Sequence, residues 1–163
     1  MNKYTKKYKK IVDKLVNKSF PELNKKLICV ISTKIQFGKV FASMTYLGFM
    51  TLIIVFPLAK SCSSNELKSI LAHELSHFEI ILNMSFFEKI SFAFKWLFTK
   101  KGKSNFETAA DKYAIAKGYA RGLFSKVKKT EKERTNVEIK ERIKKGYLSP
   151  KQIKSYAQKI KKW

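Results

Sequence analysis

The chain has two histidines, and they stand four residues apart in His73-Glu74-Leu75-Ser76-His77, inside the apolar run Ile70-Leu71-Ala72 to Phe78. On an α-helix, positions i and i+4 share a face, so both rings can direct a nitrogen at one ion about 2.0–2.1 Å away. Glu74 is turned by roughly 100° from His73. That direction suits a base acting on a metal-activated water better than a further ligand. The alternative is a pair of hydrogen-bonded histidines in a buried helix. In that case Glu74 lies unpaired among apolar neighbours at a cost of several kcal/mol, a difficulty that a cation removes.

A catalytic zinc takes three protein ligands and keeps one open position. No third histidine exists and the two cysteines, Cys29 and Cys62, are far apart, so a carboxylate is the simpler third donor. Glu107 is the candidate, in Phe106-Glu107-Thr108-Ala109-Ala110-Asp111. Asp111 lies one helical turn on, placed to accept the free N–H of a ligand histidine and orient its ring. The alternative is a solvated face in which Ser104 and Glu107 form a capping box.

These residues resemble a family. HExxH followed by ExxxD in an alanine-containing helix resembles the gluzincin metallopeptidases. More narrowly, Leu67-x-x-Ile70-Leu71-Ala72-His73-Glu74-Leu75-Ser76-His77 with Glu107-x-x-Ala110-Asp111 resembles family M48, and the soluble minigluzincins fit the length. The likeness covers about residues 26–123. It implies an α+β, zincin-like domain: a small mixed β-sheet packed on the HExxH helix and a glutamate-bearing helix. It also implies an edge strand that binds extended substrate through main-chain hydrogen bonds, for which Ser43, Met44, Thr45 and Tyr46 are the candidates. Thermolysin-like relatives use a further histidine on the tetrahedral intermediate. None is available here, which leaves Tyr113, Tyr119 and Arg121 as candidate substitutes.

At 163 residues, with 45% hydrophobic side chains, the chain is long enough for one cored domain plus an appendage. The cysteines form no CxxC pair, which suits a reducing, cytoplasmic setting, and no signal-peptide core follows the basic N-terminus. The net charge is +23, concentrated at the ends: residues 1–26 carry nine Lys against two acids, and residues 125–163 carry fourteen Lys or Arg against four. Such ends attract an anionic membrane surface or nucleic acid without sequence preference, or simply form solvated helix faces. No nucleic-acid-binding signature accompanies the charge.

Along the chain, Tyr4, Tyr8, Ile11, Val12 and Leu15 recur at helical spacing, predicting a basic first helix that ends before Phe20-Pro21. Residues 27–35 read as a strand. The nearly uncharged stretch 41–59 could just span a bilayer, but Gly48 and Pro57 interrupt it, and two strands near 41–47 and 49–56 are the preferred reading. Ser63 and Glu66 predict a capping box opening the motif helix. The aromatic connection 86–98 reads as a partly buried helix finishing the core, or else as an exposed apolar surface. Beyond Gly118 a charged helix is expected over 131–145, and a second from Ser149-Pro150 to about 162.

The expectation is therefore a catalytic domain at 1–124 and a basic helical tail at 125–163. The chain would be an endopeptidase with one zinc on His73, His77 and Glu107 and with Glu74 as general base, acting on peptide or protein substrates. Some minigluzincins are latent because a terminal segment covers the cleft, so the likeness extends to a zymogen in which the tail regulates access. The rival readings are a regulatory zinc protein without turnover and a basic membrane- or nucleic-acid-associated module.

Overall fold

The structure is a computed structural model describing residues 2–163. Its first helix, α1 (Lys3–Ser19), is capped by Asn2, whose side chain accepts from the Thr5 amide. Its apolar stripe of Tyr8, Val12, Leu15 and Val16 is buried against the sheet and the motif helix. Three strands follow: β1 (Leu27–Ser32), β2 (Ala42–Tyr46) and β3 (Met50–Val55). They form one mixed sheet in the order β1-β3-β2. β3 is central, parallel to β1 with Val30 opposite Ile53, and antiparallel to β2 with Met44 opposite Ile53. Leu47-Gly48-Phe49 turns the β2–β3 hairpin, and Gly48 takes the positive φ of 83° that the turn requires. The stretch 41–59 is thus strand, turn and strand, and no helix among the described residues is long and apolar enough to cross a membrane.

Helix α2 (Ser64–Leu82) is the centre of the molecule. Its capping box forms as a reciprocal pair, Ser63 N–H to Glu66 Oε2 at 2.8 Å and Glu66 N–H to Ser63 Oγ at 3.3 Å. Leu67, Leu71, Leu75 and Phe78 fill the main core with α1 and the sheet. A buried aliphatic side chain of this kind contributes about 1.5–3 kcal/mol. Tyr46 of β2 packs on Phe78, with ring centroids 5.7 Å apart.

Helix α3 (Phe86–Phe98) departs from the expected core helix, for none of its residues is buried. Only Phe92 turns inward, 4.6 Å from the Phe106 ring. Phe86, Ile90, Leu97, Phe94, Phe87 and Phe98 occupy a stripe about 120° wide on the other side, and all are exposed. The helix hairpin projects from the sheet-bearing core, so only one side of α3 finds a neighbour. Helix α4 (Lys100–Ala114) also begins earlier than the Ser104–Glu107 capping box requires. Thr99, extended at φ −129°, caps it through the Gly102 amide, and Ser104 lies inside the helix.

A π-type turn at Ile115–Tyr119, with Gly118 at φ 94°, leads into α5 (Ala120–Glu131). That helix runs without a break through residue 125. The charged helix expected over 131–145 is shorter, α6 (Asn136–Lys144), because a turn separates it from α5; α7 (Pro150–Lys159) completes the chain. A second core of Ile115, Ala120, Leu123, Val127, Leu148, Ile153 and Ala157 joins α5 and α7 to the body. The architecture is α+β, with a small mixed sheet on one side of α2 and helices on the other.

Candidate metal centre

The buried middle of α2 carries His73, Glu74 and His77, and α4 lies beside it. Ala110 and Ala114, both fully buried, are small side chains at this contact. Glu107 and Asp111, one turn apart on α4, thereby face the histidines.

The three expected ligand atoms converge. His73 Nε2 is 3.1 Å from His77 Nε2, and Glu107 Oε2 is 3.3 Å from the first and 3.5 Å from the second. Two donors bonded to one zinc at about 2.05 Å with a tetrahedral angle lie about 3.3 Å apart. The triangle therefore has the edge lengths of three corners of a metal tetrahedron, and His73, His77 and Glu107 could hold a metal ion. One ligand atom fits this use directly, for Glu107 Oε2 is buried with no hydrogen-bond partner among the described residues.

Asp111 is fully buried and serves two donors, His73 Nδ1 at 2.9 Å and the Leu148 amide at 2.8 Å. The first contact fixes the His73 ring so that Nε2 faces the triangle. The second ties the ligand helix to the turn between α6 and α7. The protonation pattern follows from these neighbours. Burial opposes a charge on His73, but its bond to Asp111 and the adjacent Glu107 carboxylate outweigh burial and raise it to about 10. Burial pushes Glu107 upward, yet the two histidines hold it far below the usual carboxylate range. Burial raises Glu74, against the pull of His73 and His77, which is the direction that makes a carboxylate a better proton acceptor.

His73 and Glu74 line a cavity of about 550 Å³ that also touches Ala42 at the start of β2. Ser43, Met44, Thr45 and Tyr46 lie on β2, which pairs with β3 along one side and is the outer strand on the other. The candidates for a group opposite Glu74 fall elsewhere. Tyr119 donates to or accepts from Ser19 Oγ at 2.7 Å, Tyr113 is exposed, and Arg121 lines a separate groove beside α1.

Tyr147 and Arg142 line the cavity with Glu74 instead. The Tyr147 ring stacks over His73 at 6.1 Å, and the Arg142 guanidinium lies 5.0 Å from the Tyr147 ring and donates to the Leu148 carbonyl at 2.9 Å. Burial, and then the negative charge of Glu107, push the Tyr147 hydroxyl well above its ordinary range, so it stays a donor. The sequence around it, Gly146-Tyr147-Leu148-Ser149-Pro150, signals a turn but has no spacing relation to the motif. No family model matches this chain, and no curated protein or solved structure matches it.

Proposed function

We propose that this chain is a zinc-dependent endopeptidase with a zincin-like site. The observation that carries the reading is the His73, His77 and Glu107 triangle, with His73 and the neighbouring Glu74 lining a cavity. Zinc bound there supplies Lewis-acid polarisation of a carbonyl and lowers the pKa of water toward about 7. Glu74 takes the proton from the attacking water and passes it to the leaving amine, a role that its raised pKa suits. Tyr147, a neutral donor beside His73, would hydrogen-bond an oxyanion developing at the carbonyl. The outer edge of β2 offers unpaired main-chain groups to an extended peptide.

The test is cleavage of an unstructured protein by the zinc-loaded chain and by Glu74→Gln. The variant is expected to bind zinc as tightly as the parent and to lose turnover. Undiminished cleavage by Glu74→Gln would remove the mechanism, whereas zinc binding without turnover in the parent would leave a regulatory zinc protein.

A separate surface favours attachment to an anionic membrane. The exposed stripe of α3 is flanked by Lys89, Lys95, Lys100, Lys101 and Lys103 on a chain of net charge +23. A helix of 13 residues is about 20 Å long, which suits lying in the headgroup region rather than crossing it. Sedimentation with phosphatidylserine vesicles, but weakly with phosphatidylcholine vesicles, is expected. Phe87→Ser with Phe98→Ser should release the chain; a dimer that dissociates in this variant, without vesicle binding, would assign the stripe to a second copy.

A further inference from the structure

The cavity beside Glu74 has an electrostatic character that the hydrolytic chemistry does not require. Its lining holds five basic and four acidic residues. Two of the four acids are already engaged, Asp111 by His73 and Leu148 and Glu138 by Lys39 at 2.6 Å, and Glu141 is solvent-exposed. Glu74 is the proposed base. On the other side stand Lys126, Arg134 and Arg142, and among the described residues none of these three forms a salt bridge. Arg142 is only 7% exposed and has the Leu148 carbonyl as an acceptor. Arg134 Nε is buried with no hydrogen-bond partner among the described residues. Lys126 Nζ sits 4.9 Å from the Phe41 ring. Three cations thus converge on one partly closed space where an unpaired buried charge is costly.

We propose that this cavity is the specificity subsite of the enzyme and that it receives a carboxylate of the substrate peptide, with Arg134 and Lys126 as its principal partners. The inference rests on the hydrolase reading for its consequence, though not for the binding itself. The Lys and Arg of the lining outnumber its Asp and Glu by one, a balance that favours an anion. Guanidinium groups also bind carboxylates through paired N–H donors, a geometry that a planar carboxylate satisfies. The Lys126 ammonium is held down to about 8, first by burial and then by Arg142. An anion entering the cavity would oppose both influences by favouring the charged ammonium. The carboxylate has two sources, an Asp or Glu side chain within the peptide or the free C-terminus of the peptide.

The experiment measures binding and cleavage separately on the full chain. Binding is read by calorimetry in EDTA, where neither turnover nor direct ligation of a metal by the probe can contribute. The probes are an end-blocked alanine pentapeptide with a central Glu, its Gln counterpart, and a pentaalanine with either a free or an amidated C-terminus. Tighter binding of a carboxylate probe over its neutral match, by about tenfold or more, is expected. Arg134→Gln and Lys126→Met should each abolish that ratio in chains with parental circular dichroism. The side-chain pair and the C-terminal pair tell the two sources apart. Equal binding of acidic and neutral probes by the parent overturns the proposal, as does a ratio that survives both substitutions. Cleavage of the same peptides with zinc then decides the other question. Hydrolysis without acid preference refutes the subsite but keeps the peptidase, whereas a carboxylate-selective chain that cleaves nothing keeps the subsite and refutes the peptidase.

Discussion

Replacing Asp111 by Asn probes the junction on which the site turns. Asp111 accepts from His73 Nδ1 at 2.9 Å and from the Leu148 amide at 2.8 Å, and its side chain is fully buried. An Asn has one carbonyl oxygen for these two donors, so its NH₂ group must face a second N–H. One buried donor then goes unpaired, which costs about 1–3 kcal/mol out of a total stability of about 5–15 kcal/mol. For a chain of this size each kcal/mol moves Tm by about 2–4 °C, so the metal-free variant should melt about 2–12 °C lower. The His73 ring also loses its fixed orientation, and zinc affinity should fall about 10–100-fold. Thermal melts in EDTA read the first effect, and titration against a competing chelator reads the second. A variant with unchanged Tm and unchanged zinc affinity would falsify the claim that Asp111 orients the ligand and anchors the α6–α7 turn. A loss of stability alone would confine its role to the anchor.

Further outcomes follow from the same geometry. Because His73 is held at about 10 in the metal-free chain, it is protonated at neutral pH and must lose a proton to become a ligand. Zinc uptake near pH 7 should therefore release about one proton from this residue, and apparent affinity should rise with pH up to about 10. Calorimetry in buffers of different ionisation enthalpy reads the release. Gly146 has φ 95° and a Cβ there would strike the Ser104 backbone carbonyl, so Gly146→Ala should cost about 2 kcal/mol or more, seen as a lower denaturant midpoint. A chain ending at Phe124 loses Val127, Leu148, Ile153 and Ala157 from the second core and the Leu148 donor to Asp111. Its circular dichroism should be that of a largely unfolded chain; a folded and more active short form would instead make residues 125–163 a removable cover.

Much of the framework was legible because it is local. The spacing of His73 and His77, the reciprocal Ser63 and Glu66 cap, and the hairpin broken at Gly48 each depend on neighbours within a turn or two of chain, where covalent geometry already fixes who can meet. Where two local signals compete, contacts beyond the local stretch decide between them. Ser104 and Glu107 satisfy a capping pattern, but Thr99 lies earlier with an extended backbone and captures the start of α4. The aromatic content of 86–98 reads as core or as exposed apolar surface, and α3 turns only the face bearing Phe92 and Trp96 toward α4. Composition states how apolar a helix is, not what covers it.

The sequence by itself determined that α2 would present two imidazoles on one face with a carboxylate turned aside, since a helix of 3.6 residues per turn leaves no other arrangement. It could point to Glu107 and Asp111 as a pair, again through a four-residue interval. Only the tertiary structure decided that the Glu107 oxygen closes a triangle at 3.3 and 3.5 Å, that the sheet runs β1-β3-β2, and that Tyr147, Arg142, Arg134 and Lys126 border the cavity. Those placements join positions separated by tens of residues. They are set by how α4, α5 and the α6–α7 turn pack around α2, a collective outcome of burying two cores and satisfying Asp111 that no single stretch of chain encodes.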